Sequence, residues 1–250
     1  MFKFDTKALH KLLKNTYLNG IIKQVVLNVQ NGVASIQTID ENNSLFISNN
    51  IIIDKDNPDE FSMGIKDLTI LYKVINGLVK ENITPTYTTD KEKRWFCINN
   101  PSKGRVKMLL IEPSAVKTNV VGGETKTKMT QGYENSVQLY PDDITNILYY
   151  INLFKNNILV FESRRNNLMI KSSELDNNQF TVKLTKPEKI VPDMKIQVNG
   201  NCLTSLLNQI KEDEEDIIIK FKEDSPLIIE QASFFWALSP IVDKKDEENE

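Results

Sequence analysis

Apolar residues recur at helical spacing in four stretches of the chain and alternate at strand spacing almost everywhere else. Thr6–Thr16 places Ala8, Leu9, Leu12 and Leu13 on one face. Lys66–Lys80 gathers Leu68, Leu71, Val74, Ile75 and Leu78. Pro141–Leu153 does the same with Ile144, Ile147, Leu148 and Ile151, and Asn201–Lys211 with Leu203, Leu206, Leu207 and Ile210. Each spacing predicts an amphipathic helix. Pro141 suits a first helical turn, and Asp142 and Asp143 complement the positive end of the dipole.

The helices are spaced as a repeat. Thr6 and Lys66 stand 66 − 6 = 60 positions apart, and Pro141 and Asn201 stand 201 − 141 = 60 apart. Both recur at the same offset, since 141 − 6 and 201 − 66 each give 135. A duplicated lobe follows. Each copy has a lead strand ("MFKF", "SVQLY"), a helix, four strands, a second helix and three more strands. Turn signals such as "QNG" and "ELDNN" separate the strands. The predicted class is α+β, with a first lobe over 1–112, a linker over 113–132, a second lobe over 133–243 and a disordered acidic tail over 244–250. The linker "PSAVKTNVVGGETKTKMTQG" shows little periodicity and is expected to be structureless.

Composition adds bounds. At 250 residues and 40% apolar, the chain can bury a substantial core. Its apolar runs are broken by Lys, Asn or Thr before they reach a membrane span, so no membrane partner is expected. "MFKFDTKALHKLLK" carries charges where a signal peptide needs an apolar core, and the chain is expected to be soluble and unexported. Cys97 and Cys202 stand alone, with neither a disulfide framework nor a metal spacing. A reducing intracellular compartment is the expectation: cytoplasm or nucleoid, or a nucleus or viral replication site.

Catalytic signatures are absent from the sequence. There is no P-loop, dinucleotide fingerprint, zinc-protease motif or nucleophile elbow. The acidic run "KEDEEDI" is expected to be a solvated loop. No cofactor or metal is expected, and no enzyme. The polar faces of the helices say more. Lys7, His10, Lys11 and Lys14 recur at i, i+3, i+4 and i+7, opposite the leucines, while Lys66, Lys73 and Lys80 repeat every seven positions. Such stripes in a chain of net charge −3 fit either a face for a polyanion or ordinary solvated surface. The second pair of helices is more neutral. It offers Asn146, Tyr149 and Asn152, then Asn201, Thr204, Ser205 and Asn208, with Lys155 and Lys211 at the ends.

The assembled pattern resembles the DNA sliding clamps, in the branch of proliferating cell nuclear antigen and the archaeal and viral clamps. "DIIIKFKEDSPLIIEQASFFWALSPIV" is similar to that family's ending: a strand, an acidic turn, Pro-Leu, a strand, then a small residue and Pro. "NGVASIQTIDENNSLFI" resembles its second hairpin. The resemblance implies a non-enzymatic processivity factor, with four helices on the inner face of a ring and antiparallel sheets outside. It implies duplex DNA as a sequence-independent partner, a DNA polymerase, an ATP-dependent clamp loader, and self-association as a trimer. The DNA-facing set would be Lys7, His10, Lys11, Lys14, Lys66, Lys73, Lys80, Asn146, Tyr149, Asn208 and Lys211. An apolar pocket for partner peptides would draw on Ile39, Asn43, Val120, Val121, Pro226, Leu238, Ser239 and Pro240. Subunits would join through Val106, Met108 and Leu110 of one chain and Phe180, Val182 and Leu184 of the next. Two other classes stay open on the residues alone: a monomeric two-lobed peptide- or protein-binding adaptor that does not encircle DNA, and an enzyme with an unrecognised site.

Overall fold

A computed structural model of the chain describes residues 4–53, 60–89, 94–102, 104–120, 124–165, 167–173, 178–184, 193–211 and 215–241. It divides into two compact units, one of Met1–Glu41 and Phe46–Gly122, the other of Asn42–Leu45 and Gly123–Glu250.

The first unit runs α1 (Thr6–Tyr17), β1 (Val25–Gln30), β2 (Val33–Ile39), β3 (Leu45–Ile52), β4 (Phe61–Ile65), α2 (Leu68–Lys80), β5 (Thr86–Thr89), β6 (Trp95–Asn100) and β7 (Gly104–Ile111). Its strands pair antiparallel in the order β5-β6-β7-β4-β1-β2-β3. Asn31 and Gly32 turn the β1–β2 hairpin at φ 49° and 72°, the left-handed pair that a two-residue turn of this twist requires. Leu9, Leu12 and Leu13 of α1 and Leu68, Leu71 and Ile75 of α2 are fully buried. Phe4 packs on Tyr87 with ring centroids 4.9 Å apart, and the Tyr87 hydroxyl meets Thr6 Oγ1 at 3.0 Å. Burial pushes the Tyr87 pKa up to about 12.

The second unit runs α3 (Glu124–Thr130), β8 (Asn135–Leu139), α4 (Pro141–Phe154), β9 (Ile158–Arg164), β10 (Asn167–Ser172), β11 (Thr181–Lys183), β12 (Met194–Asn199), α5 (Gly200–Ile210), β13 (Ile217–Phe221), β14 (Leu227–Gln231) and β15 (Phe234–Leu238). Four strands form one sheet, β11-β10-β9-β12. A second set pairs as β15-β14-β13-β8. Ile144, Ile147 and Ile151 of α4 and Leu203, Leu206, Leu207 and Ile210 of α5 are buried as their spacing predicts.

The units repeat one topology. The order β4-β1-β2-β3 recurs as β12-β9-β10-β11, and β5-β6-β7 recurs as β13-β14-β15. The joint between the two sets recurs as well. Gly64 and Ile65 of β4 pair with Ile111 and Leu110 of β7, and the Ile241 N–H donates to the Gln197 carbonyl of β12 at 2.8 Å.

Three expectations change. The second helix begins at Leu68 rather than Lys66, because the Asp67 carboxylate accepts from the Ile70 N–H at 2.9 Å and caps it there. Phe4 lies in no strand, while the rest of "MFKF" falls outside the described residues, as does the acidic tail. The stretch read as a structureless linker contains a 3₁₀ turn at Pro113–Ala115 and the helix α3. None of the residues of α3 is buried, so it leaves no apolar period to read. Its visible support is the i,i+4 pair of Glu124 and Lys128 at 2.9 Å.

Gly64 tests the joint in the first unit. A Cβ there would run into the Ile111 carbonyl and crowd its side chain, backbone that cannot move aside cheaply. Gly64→Ala is expected to cost about 1–3 kcal/mol by urea denaturation. An unchanged midpoint would show the joint to be dispensable.

Candidate nucleic-acid and partner interfaces

With the leucines of α1 and α2 turned inward, their polar faces are fixed by geometry. Lys7, Lys73 and Lys80 are exposed, and Lys11 and Lys14 are half-buried. Lys66 is exposed but precedes α2, so two of the three lysines of that stripe stand on the helix.

His10 departs from a simple solvated stripe. Its ring stacks on Tyr72 of α2 at 5.6 Å and 16°, and Tyr72 stacks on Tyr17 of α1 at 4.9 Å and 23°. The three rings form a column across the α1–α2 seam. The His10 Nε2 is buried without a hydrogen-bond partner among the described residues. Burial lowers the His10 pKa below its ordinary value; the hydrogen bond with Asn76 opposes this, and the charges of Lys14 and Lys80 reinforce it. Neutral imidazole is therefore the resting form at pH 7. His10 and Tyr17 lie seven positions apart, a spacing that could have marked the seam; Tyr72 carries no such signal.

In the second unit α4 exposes Asn146, Tyr149, Asn152 and Leu153, with Tyr149 63% and Leu153 60% accessible. Tyr150 turns aside to stack on Phe180 at 5.8 Å and on Phe154 at 6.4 Å. On α5, Asn201 is exposed and Thr204, Ser205 and Asn208 are half-buried; Lys155 and Lys211 are exposed just past the two helix ends. Lysines dominate the helix faces of the first unit, and neutral hydrogen-bonding and aromatic groups those of the second.

The residues expected at a peptide pocket are distributed over both units. In the first, the Ile39 N–H donates to the Thr118 carbonyl at 3.1 Å and the Val120 N–H to the Gln37 carbonyl at 3.4 Å, so residues 118–120 run beside β2. Val121 lies outside the described residues. In the second, the Ser239 N–H donates to the Ser44 carbonyl and its hydroxyl to the Asn43 carbonyl, each at 2.9 Å. Pro226 stands just before β14, where its missing N–H takes nothing from the ladder. Its carbonyl accepts from the Tyr133 hydroxyl at 2.6 Å. Burial raises the Tyr133 pKa, with the Ser225 hydrogen bond opposing, so the hydroxyl stays a donor at neutral pH. Leu238 is fully buried, and Pro240 is half-buried. Tyr133 is the residue in this region that sequence reasoning missed.

The residues expected at a subunit joint lie on or beside β7 and β11, each with an edge not fully paired among the described residues. β7 pairs with β6 over Gly104–Leu109 but with β4 only at Leu110 and Ile111. β11 pairs with β10 alone among the described residues. Val106 and Met108 are half-buried and Leu109 is 51% exposed. Leu110, Phe180, Val182 and Leu184 are buried within their own units. Of β11 itself only Val182 points into the core; Thr181 and Lys183 are exposed. Among the described residues no cluster of His, Cys, Asp or Glu could hold a metal ion, and no helix is long and apolar enough to cross a membrane.

His10 is the chain's only histidine, which makes its titration easy to follow. Its folded pKa lies below the 6.5 of the unfolded chain, so the unfolded state binds the proton more readily. The contribution to stability is present above pH 6.5 and is lost as pH falls through the folded pKa. An NMR titration should place the imidazole midpoint below 6.5, and His10→Gln should flatten the fall in stability on acidification. A midpoint at or above the ordinary value would contradict the buried stack.

No protein-family model matches the chain, and no curated protein matches it. Solved structures do. The PCNA of Thermococcus kodakaraensis superimposes with a TM-score of 0.72 at 15% identity, over 95% of this chain and 98% of that one. The proliferating cellular nuclear antigen of Entamoeba histolytica gives 0.71 at 11% identity, over 96% and 97%. The doubled topology described above, followed from end to end, is the fold of the PCNA sliding clamps.

Proposed function

We propose that this chain is the subunit of a DNA sliding clamp: a non-enzymatic processivity factor that closes into a ring around duplex DNA and tethers replication proteins. The observation that carries this reading is the likeness in fold to PCNA over nearly the whole of both chains. The open edges say how copies would join. β7 of one chain would pair with β11 of the next, a head-to-tail contact that closes as a trimer. Beside β7 lies a groove of about 290 Å³ lined by Val74, Gly77, Leu78, Ile98 and Val106 together with the polar Lys73, Glu81, Asn100 and Arg105. It offers room for one large apolar side chain of the neighbour.

On this reading the helices line the hole. Lys7, His10, Lys11, Lys14, Lys66, Lys73 and Lys80 would face phosphates from the first unit, and Asn146, Tyr149, Asn208 and Lys211 from the second. Sparse lysines suit sliding, since each contact exchanges cheaply along a uniform backbone. Ile39, Asn43, Val120, Val121, Pro226, Leu238, Ser239 and Pro240 would receive partner peptides, among them one from a DNA polymerase. Opening would fall to a separate ATP-driven loader, because the sequence has no nucleotide motif.

Sedimentation over a wide dilution range tests the ring. The wild type should run as a closed trimer. Leu109→Asp, which puts a charge beside the β7 edge, should shift it to monomer without altering the circular dichroism. A dilution-insensitive wild-type monomer would sink the clamp reading.

A further inference from the structure

We propose that the face of β5-β6-β7 turned away from the helices is a docking surface for an extended acidic segment of another protein. That segment carries two carboxylates at alternate positions and an aliphatic residue two further on. The inference goes beyond the clamp reading and does not depend on ring closure. One face of the three strands serves the core: Phe96 stacks on Tyr87, Tyr87 reaches Thr6 of α1, and Ile98 and Val106 share a groove with Val74 and Leu78 of α2. By the period of a strand, Lys107 and Leu109 of β7 point the other way, as does the Arg105 guanidinium. Their cross-strand partners Cys97, Trp95 and Asn99 share that outer face, and Cys97 and Asn99 pair in turn with threonines of β5.

Among the described residues this face carries cations and apolar groups but no acid. The chain as a whole has 34 acidic against 31 basic residues, so the face inverts the charge around it. Neither Arg105 nor Lys107 has a carboxylate partner among the described residues. Both are held against the sheet instead. The Arg105 guanidinium donates to Cys97 Sγ at 2.9 Å, and Lys107 Nζ stands 4.3 Å from the centroid of the Trp95 ring. This cover leaves Cys97 only 1% exposed although it faces outward, while Leu109 remains 51% exposed. Lysines that merely blunt a strand edge stand free in water. Here the charges are already ordered, so less side-chain freedom is lost when a ligand meets them.

Spacing sets the ligand. Arg105, Lys107 and Leu109 recur at i, i+2 and i+4, about 7 Å apart along the strand. A segment laid along β7 in the same extended conformation presents its own side chains at that repeat. Two carboxylates then meet the two cations, and an aliphatic side chain covers Leu109. Nucleic acid fits less well. Two cations make a short track for phosphates, and Lys107 already covers the ring on which a base would stack.

The test uses the full chain, fluorescence polarisation and a fluorescein-labelled peptide of sequence Gly-Ser-Glu-Thr-Glu-Thr-Leu-Ser-Gly. The wild type should bind it, more weakly as salt rises. A peptide with glutamine at both glutamate positions should bind about tenfold more weakly. Lys107→Glu should cost about tenfold and Leu109→Ser about threefold, with circular dichroism unchanged. Failure of the wild type to bind the glutamate peptide, equal binding of the glutamine peptide, or unchanged affinity in both variants would overturn the proposal. Preference for a labelled oligothymidylate of equal charge would reassign the face to nucleic acid and overturn it equally. Sedimentation judges the ring separately, so a monomer that binds the peptide upholds this proposal while the clamp reading falls.

Discussion

Burial of four apolar stripes against their own strands decides the rest of the structure. Each fully buried leucine or isoleucine contributes roughly 1.5–3 kcal/mol relative to exposure. Leu9, Leu12 and Leu13 together hold α1 in one rotational setting. Turning that helix by one residue would expose a leucine and draw a lysine toward the core. The polar faces have no separate instruction; they lie where the buried faces leave them. This is how a spacing in the sequence becomes a placed row of lysines on α1 and α2, and a row of amides and tyrosine on α4.

The elements legible in advance are those whose period comes from burial. The helices around Leu12, Ile75, Ile147 and Leu206 were readable because one face of each is dry, and β2 alternates buried and half-buried residues from Val33 to Ile39. What stayed illegible was organised by other forces. α3 buries nothing, so it has no period. The start of α2 is set by a side-chain cap at Asp67, two residues from where the apolar pattern suggested. The His10–Tyr72–Tyr17 column joins residues that a sequence cannot bring together without the packing of α1 on α2. For the candidate interfaces the sequence supplied the residue types, but not that Leu238, Phe180, Val182 and Leu184 spend their side chains on the core.

The electrostatic asymmetry of the units bears on mechanism. A neutral His10 between Lys14 and Lys80 keeps the α1–α2 face from becoming more positive at physiological pH. The α4 and α5 faces carry hydrogen-bonding groups that can touch phosphate without concentrating it. A chain of net charge −3 with one modestly basic surface is poorly suited to gripping DNA as a monomer. On the proposed function DNA would be held by enclosure, where retention comes from topology and affinity would only resist motion. The proposed function and the weakness of the lysine signal are therefore compatible: a stronger stripe would have been easier to read and worse for sliding.

The edge of β7 presses the same conclusion from stability. Gly104–Leu109 pair with β6 on one side and with no other described strand on the opposite side, beside half-buried Val106 and Met108 and exposed Leu109, the kind of edge that invites uncontrolled pairing. Gly77 adds a second cost nearby. It sits inside α2, where glycine is about 1 kcal/mol worse than alanine, yet a Cβ there would meet no atom within 4 Å. Among the described residues nothing requires that gap. A helix weakened toward a groove, next to an open strand, gains its compensation when another surface fills the groove and pairs the strand. β11 is short, with Val182 committed to the core and Thr181 and Lys183 exposed. On the proposed assembly, the β7 edge that meets β4 only at Leu110 and Ile111 would take β11 of the next chain, and both edges would be covered.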